Sequence, residues 1–156
     1  MRWPTKVRIL IPGKIKFSFV KDGALFYQKR LQNYLFCEIQ EKRAPQAKNP
    51  QKAKLLEGKA LLQGLSPTSF KIALDECGVL WDSLTFAKKL EKMLPLYREL
   101  NFLIGGAFGL HEEVLNNSQL KLSLSKFTLN HEIALLVLLE QLYRALSILS
   151  GEPYHK

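Results

Sequence analysis

Five short apolar runs, each parted from the next by a stretch of helical spacing, constrain the fold of this chain more than any other feature. Lys6 to Ile11 is β-rich and closed by Pro12-Gly13. Phe36 to Gln40, Ser69 to Leu74, Leu100 to Ile104 and Gln119 to Leu124 repeat the pattern. Between them, residues 18–35 place Phe19, Leu25 or Phe26, Leu31 and Leu35 at helical spacing with Ser18 as the expected cap. Residues 51–63 read as a second helix, and Asp82 or Ser83 caps a third that Pro95 should end or bend. His111 begins a short fourth helix with acidic residues in its first turn, and His131 to about Ser150 forms the longest, stopped by Gly151 and Pro153. A strand that runs parallel to its predecessor needs a long crossover, and helices supply it. The expected fold is therefore α/β: a mostly parallel sheet with helices on both faces, in a single domain over residues 1–156.

The fourth strand runs directly into glycine, as Asn101-Phe-Leu-Ile-Gly-Gly-Ala-Phe-Gly-Leu110. A buried strand ending this way leaves bare backbone at the carboxyl edge of the sheet, where ligands of open α/β sheets bind. The Ser/Thr-rich segment Leu122-Ser-Leu-Ser-Lys-Phe-Thr-Leu-Asn-His131 reaches the same region just before the longest helix. Together the two segments predict a cofactor pocket built mostly from backbone. Taken alone, a GGxxG turn is also compatible with a plain strand-to-helix connection.

The longest helix is apolar on more than one stripe. A surface helix needs only one apolar face, so this one is either central to the core or buries a second face in a homodimer. Its longest uninterrupted apolar run, Ile133 to Leu139, is seven residues and falls far short of a membrane span. The first residues lack the apolar stretch and cleavage site of a secretory signal. Cys37 and Cys77 have no CxxC spacing and suggest neither a zinc site nor a disulfide framework. A cytoplasmic protein is expected.

Charge is segregated along the chain. Residues 1–60 hold 14 Lys/Arg against 4 Asp/Glu, whereas residues 61–156 hold 9 against 10. The whole excess behind the net charge of +9 thus lies in the first two-fifths, in residues such as Lys14, Lys16, Arg30 and Arg43. Such segregation suits a face for a polyanion such as RNA, and equally a set of solvated helix faces. Polar loop 41–50, with two prolines, falls in this half.

Several chemistries are excluded by pattern. GGxxG is neither GxGxxG nor the Walker sequence, and no Gly-Lys-Ser/Thr follows a strand. His111-Glu112-Glu113 is not HExxH, and His111, His131 and His155 have no metal-ligand spacing. A GxSxG nucleophile elbow is absent.

Four segments in register, Leu103 to Leu110, Leu122 to His131, Glu140-Gln-Leu-Tyr-Arg-Ala145 and Pro153-Tyr-His-Lys156, closely resemble the small bacterial SPOUT methyltransferases of the ribosomal RNA large subunit methyltransferase H family, pseudouridine N3-methyltransferases. The resemblance extends over the chain, including the Gly13-Lys14 after the first strand and Leu74-Asp-Glu-Cys-Gly78. It implies a trefoil knot in the C-terminal half, an obligate homodimer, S-adenosylmethionine as methyl donor, no metal, and 23S rRNA in the ribosome as partner. It places the donor on Leu74, Gly105, Leu124, Ser125, Lys126, Phe127, Thr128 and Leu129. It places Tyr154, His155 and Arg144 at the target base. Two positions depart from the family pattern: Asn130 stands where a proline is usual, and Leu135 where an arginine is usual. Alternatives left open are a different RNA target for the same fold, and a non-catalytic RNA-binding or ribosome assembly factor.

Overall fold

The computed structural model describes residues 2–156. Five strands form one sheet in the order β2-β1-β4-β3-β5, and every neighbouring pair is parallel. The strands are β1 (Lys6–Pro12), β2 (Phe36–Lys42), β3 (Phe70–Leu80), β4 (Glu99–Leu103) and β5 (Leu120–Ser123). The helices between them are α1 (Ser18–Leu31), α2 (Pro50–Leu62), α3 (Ser83–Met93) and α4 (Glu112–Asn116), and α5 (His131–Leu149) closes the series. The expected α/β alternation is present throughout.

Period-two alternation in β1 divides the interior into two cores. Val7, Ile9 and Ile11 point into the larger one, with Leu31 of α1, Leu90 of α3 and Leu135, Leu138 and Leu142 of α5. Leu10 points the other way and joins Leu103, Leu61 of α2 and Val114 of α4. Helices therefore cover both faces. On α5 the stripe Ala134, Leu135, Leu138, Leu139, Leu142 is buried, while Leu136 and Val137 stay only half-covered and outside both cores. The helix thus has a core face and a second, half-covered apolar face, on which Leu136 packs against Gly23 of α1.

Two boundaries differ from the sequence-based expectation by more than two residues. Helix α1 ends at Leu31, and its expected cap Ser18 is already helical; Phe17 occupies the N-cap position and has no side chain able to accept. The chain leading into the helix is held instead by a distant group. The amides of Lys16 and Phe17 donate to the Glu132 carboxylate at 2.9 and 3.0 Å, and Glu132 is 2% exposed. Asn130, at the N-cap of α5, in turn accepts from the Glu132 amide at 2.9 Å. Asparagine is among the strongest N-caps, so the departure from proline supplies the helix with a capping oxygen. Glu132→Ala is expected to lower unfolding free energy by about 1–3 kcal/mol, because two part-buried amides lose a charged acceptor. Denaturant titration measures this, and a loss below about 0.5 kcal/mol would rule the clamp out.

The other difference is β3, which continues past Leu74 to Leu80. Its pairing with β5 is interrupted between Leu74 and Val79 and then resumes with Val79 opposite Leu122. The polar run Asp75-Glu-Cys-Gly78 reads locally as the end of a strand, yet it is an excursion from a strand that re-pairs beyond it.

Candidate cofactor and RNA site

Because all five strands are parallel, the ends of β3, β4 and β5 come out at the same edge of the sheet. A cavity of about 610 Å³ opens there, within the range of small-molecule sites. Its walls come from three chain segments: Leu74–Cys77 at the β3 interruption, Ile104–Leu110 after β4, and the run from Leu122 to Leu129 after β5. Leu74, Gly105, Leu124, Ser125, Phe127, Thr128 and Leu129 all line it. Lys126 does not, and its side chain is exposed. From Leu122 to Leu129 it is the one residue outside the lining, and its charge turns to water.

The glycine turn is closed on itself. Gly106 and Gly109 form an isolated antiparallel bridge, with the Gly109 amide donating to the Gly106 carbonyl at 3.1 Å. Gly109 takes the left-handed conformation at φ +85°. Gly105 has ordinary φ, and what requires glycine there is space: a Cβ would stand 2.6 Å from the Gly109 carbonyl carbon. The second loop is held by serine hydroxyls. Ser123 Oγ donates to the Ser125 carbonyl, and Ser125 Oγ accepts from the Phe127 amide, both at 2.9 Å. Phe127 is left 83% exposed at the mouth, an aromatic face available to a planar ligand.

The tail residues gather elsewhere. Arg144 Nη1 lies 3.1 Å from His155 Nδ1, and its guanidinium sits 4.9 Å from the Tyr154 ring centroid. Tyr154 packs edge-on to Tyr143 at 4.8 Å. Glu140 pairs with Arg144 at 2.8 Å and, by that hydrogen bond, raises the arginine's pKa further. Burial, aided by the nearby Tyr154, raises the pKa of Tyr27. The tail is thus docked on α5 and α1. None of Arg144, Tyr154 and His155 lines the cavity that holds Leu74 and Gly105. The structure brings the two predicted sets together within themselves, and does not bring one to the other inside a single chain.

Sequence reasoning missed a second cavity, of about 660 Å³, on the other side of the glycine turn. It lies past the ends of β1 and β2, between Gly13, Lys14, Lys16 and the 44–48 loop, with Glu57 of α2 at its wall. Gly106, Ala107, Phe108 and His131 line both cavities. Burial lowers the pKa of His131, which favours the neutral ring between them. A signal for Glu57 exists in the sequence: it occupies the i+4 position between buried Ala53 and Leu61, where an apolar residue is due.

A parallel sheet with a bare glycine turn at its carboxyl edge defines a cofactor-binding α/β protein. The family model described as "Predicted SPOUT methyltransferase" matches residues 5–155. A ribosomal RNA large subunit methyltransferase H from Carboxydothermus hydrogenoformans is 40% identical over 158 residues, covering 97% of this chain and 99% of that protein. The protein of the same name from Maridesulfovibrio salexigens is 41% identical over 160 residues, covering 97% and 98%. The chain belongs to the SPOUT methyltransferases, in the ribosomal RNA large subunit methyltransferase H family. Solved structures share the fold at low identity. A probable methyltransferase from Bordetella pertussis superposes with TM-score 0.59 at 17% identity, covering 92% of this chain and 97% of that one. A methyltransferase from Legionella pneumophila in complex with the bound cofactor SAM gives 0.52 at 12% identity, covering 95% and 68%.

Proposed function

We propose that this chain transfers the methyl group of S-adenosylmethionine to N3 of a pseudouridine in 23S ribosomal RNA, as a cytoplasmic homodimer. The observation that carries the reading is the backbone-walled cavity at the ends of β3, β4 and β5, in a chain that aligns almost end to end with relatives named for this RNA. The cavity fits the donor on its own features: sufficient volume, apolar walls at Leu74, Leu122 and Leu129, and unobstructed backbone at Gly105. Bound there, the donor supplies an electrophilic methyl on a sulfonium sulfur. The chain's part is to align the target nitrogen with that methyl and to keep water out, which gives most of the acceleration. Arg144, Tyr154 and His155 serve the target base, and the uracil-type anion left by loss of the N3 proton is stabilised by Arg144.

The tail's distance from its own cavity favours a dimer in which one subunit's tail works at the other's donor site. Apolar surface for such a dimer is exposed on α1, where Phe19, Leu25 and Phe26 are 55, 61 and 49% exposed, and is half-covered on α5 at Leu136 and Val137. A trefoil knot formed by the segments around the donor loops belongs to the same reading.

Labelled methyl groups are expected to enter ribosomes that lack the modification, and no incorporation by a folded dimer would refute the reading. Ribosome affinity should fall steeply with salt. Lys14, Lys16 and Arg43 are exposed, and removing their charges should lower the salt slope by roughly 0.9 for each phosphate no longer neutralised.

A further inference from the structure

The second cavity has a feature that the donor site does not explain. Glu57 Oε1 is sealed from solvent and no donor reaches it. Its carboxylate lies against Gly106: a Cβ there would stand 2.7 and 2.8 Å from the two oxygens. A buried acceptor without a donor is costly, and burial duly raises the Glu57 pKa. The charges around it are cationic: Lys14, Lys16 and Lys48 line the same cavity, with His131 on the shared wall. Cations at the rim and one starved acceptor in the wall suit a nucleotide. The phosphates would meet the lysines and a ring N–H would meet the carboxylate.

Which N–H follows from chemistry, given the proposed target. In pseudouridine, N1–H and N3–H flank the C2 carbonyl, so the two nitrogens face different directions. N3 must face the donor cavity across Gly106–Phe108, because the methyl comes from there. Glu57 lines the second cavity and not the first, so the nitrogen it can meet is the other one. In uridine that nitrogen carries the sugar and has no proton.

We propose that the second cavity receives the target base and that Glu57 accepts the N1–H of pseudouridine, so that this residue distinguishes pseudouridine from uridine. The inference rests on the function proposed above. A site built around an acceptor penalises a ligand that lacks the donor, since the acceptor is then left buried and alone.

The test uses the full-length protein and two preparations of unmethylated large ribosomal subunits, with pseudouridine or with uridine at the target position. Wild-type protein should prefer pseudouridine in kcat/KM by about 10–100-fold. Glu57→Ala should bring that ratio close to one, with donor affinity by calorimetry and melting temperature little changed. Glu57→Gln keeps an acceptor oxygen in place and should retain part of the preference. Gly106→Ala, whose methyl displaces the carboxylate, should reduce it as well. A preference that survives in Glu57→Ala overturns the role of Glu57 alone. A wild-type protein inert on both preparations overturns the target assignment and this inference with it. Loss of donor affinity in parallel with the ratio would place Glu57 at the donor and also overturn the inference.

Discussion

Gly105→Val is expected to weaken S-adenosylmethionine binding by more than about 100-fold and to lower stability by about 1–3 kcal/mol. The reason is a collision within the turn. A Cβ at this position would lie 2.6 Å from the Gly109 carbonyl carbon and 2.8 Å from both its oxygen and the Leu110 amide nitrogen. All three are backbone atoms, which cannot rotate aside as a side-chain tip would. The Gly106–Gly109 bridge must open, and with it the wall shared by both cavities. Gly109 provides the contrast. A Cβ there meets nothing within 4 Å, but φ is +85°, so Gly109→Ala should cost only about 1–2 kcal/mol of conformational strain and reduce donor affinity far less. Calorimetry with the donor and denaturant titration of each variant measure the two effects. Donor affinity within threefold of wild type in Gly105→Val would show that the turn does not form the site.

Removal of Tyr154 to Lys156 is expected to act on turnover instead. The tail touches Tyr143 and Arg144 and neither cavity. Donor affinity should therefore stay near wild type, while methylation of ribosomes falls about 10²–10⁴-fold, the range for losing groups that handle the proton and the anion. Mixed dimers separate the two possible arrangements. One chain lacks the tail and keeps its donor cavity; the other carries Gly105→Val and keeps its tail. If each tail serves the partner's cavity, every such dimer holds one complete site and regains activity that neither parent homodimer has. Inactive mixed dimers would assign the tail to its own chain. Full-rate methylation by the truncated homodimer would remove the tail from the chemistry altogether.

Local chemistry in the sequence was enough for the element order, the parallel sheet and most of the lining of the cavity at the sheet's carboxyl edge. Alternating β-rich runs and helical spacing act within a few residues, and so do the Asp82 cap and the Gly151 stop. The glycine turn and the Ser123–Leu129 loop were legible for the same reason: a bare backbone segment after an apolar strand has few places to lie except the sheet's carboxyl edge. What the tertiary structure alone decided are pairings between groups far apart in the chain. Glu132 holds the amides leading into α1 from 115 residues away, while the adjacent Ser18, the local candidate, is drawn into the helix. Asp75–Gly78 reads as the end of a strand because only the re-pairing of Val79 with Leu122 reveals the strand's continuation. Lys126 leaves the cavity because its neighbours Ser125 and Phe127 are fixed by the Ser125 hydroxyl. The docked tail and the unpaired Glu57 depend on the same long-range placement: which side chain meets which cavity is set by how sheet and helices close, and no window of neighbouring residues contains that information.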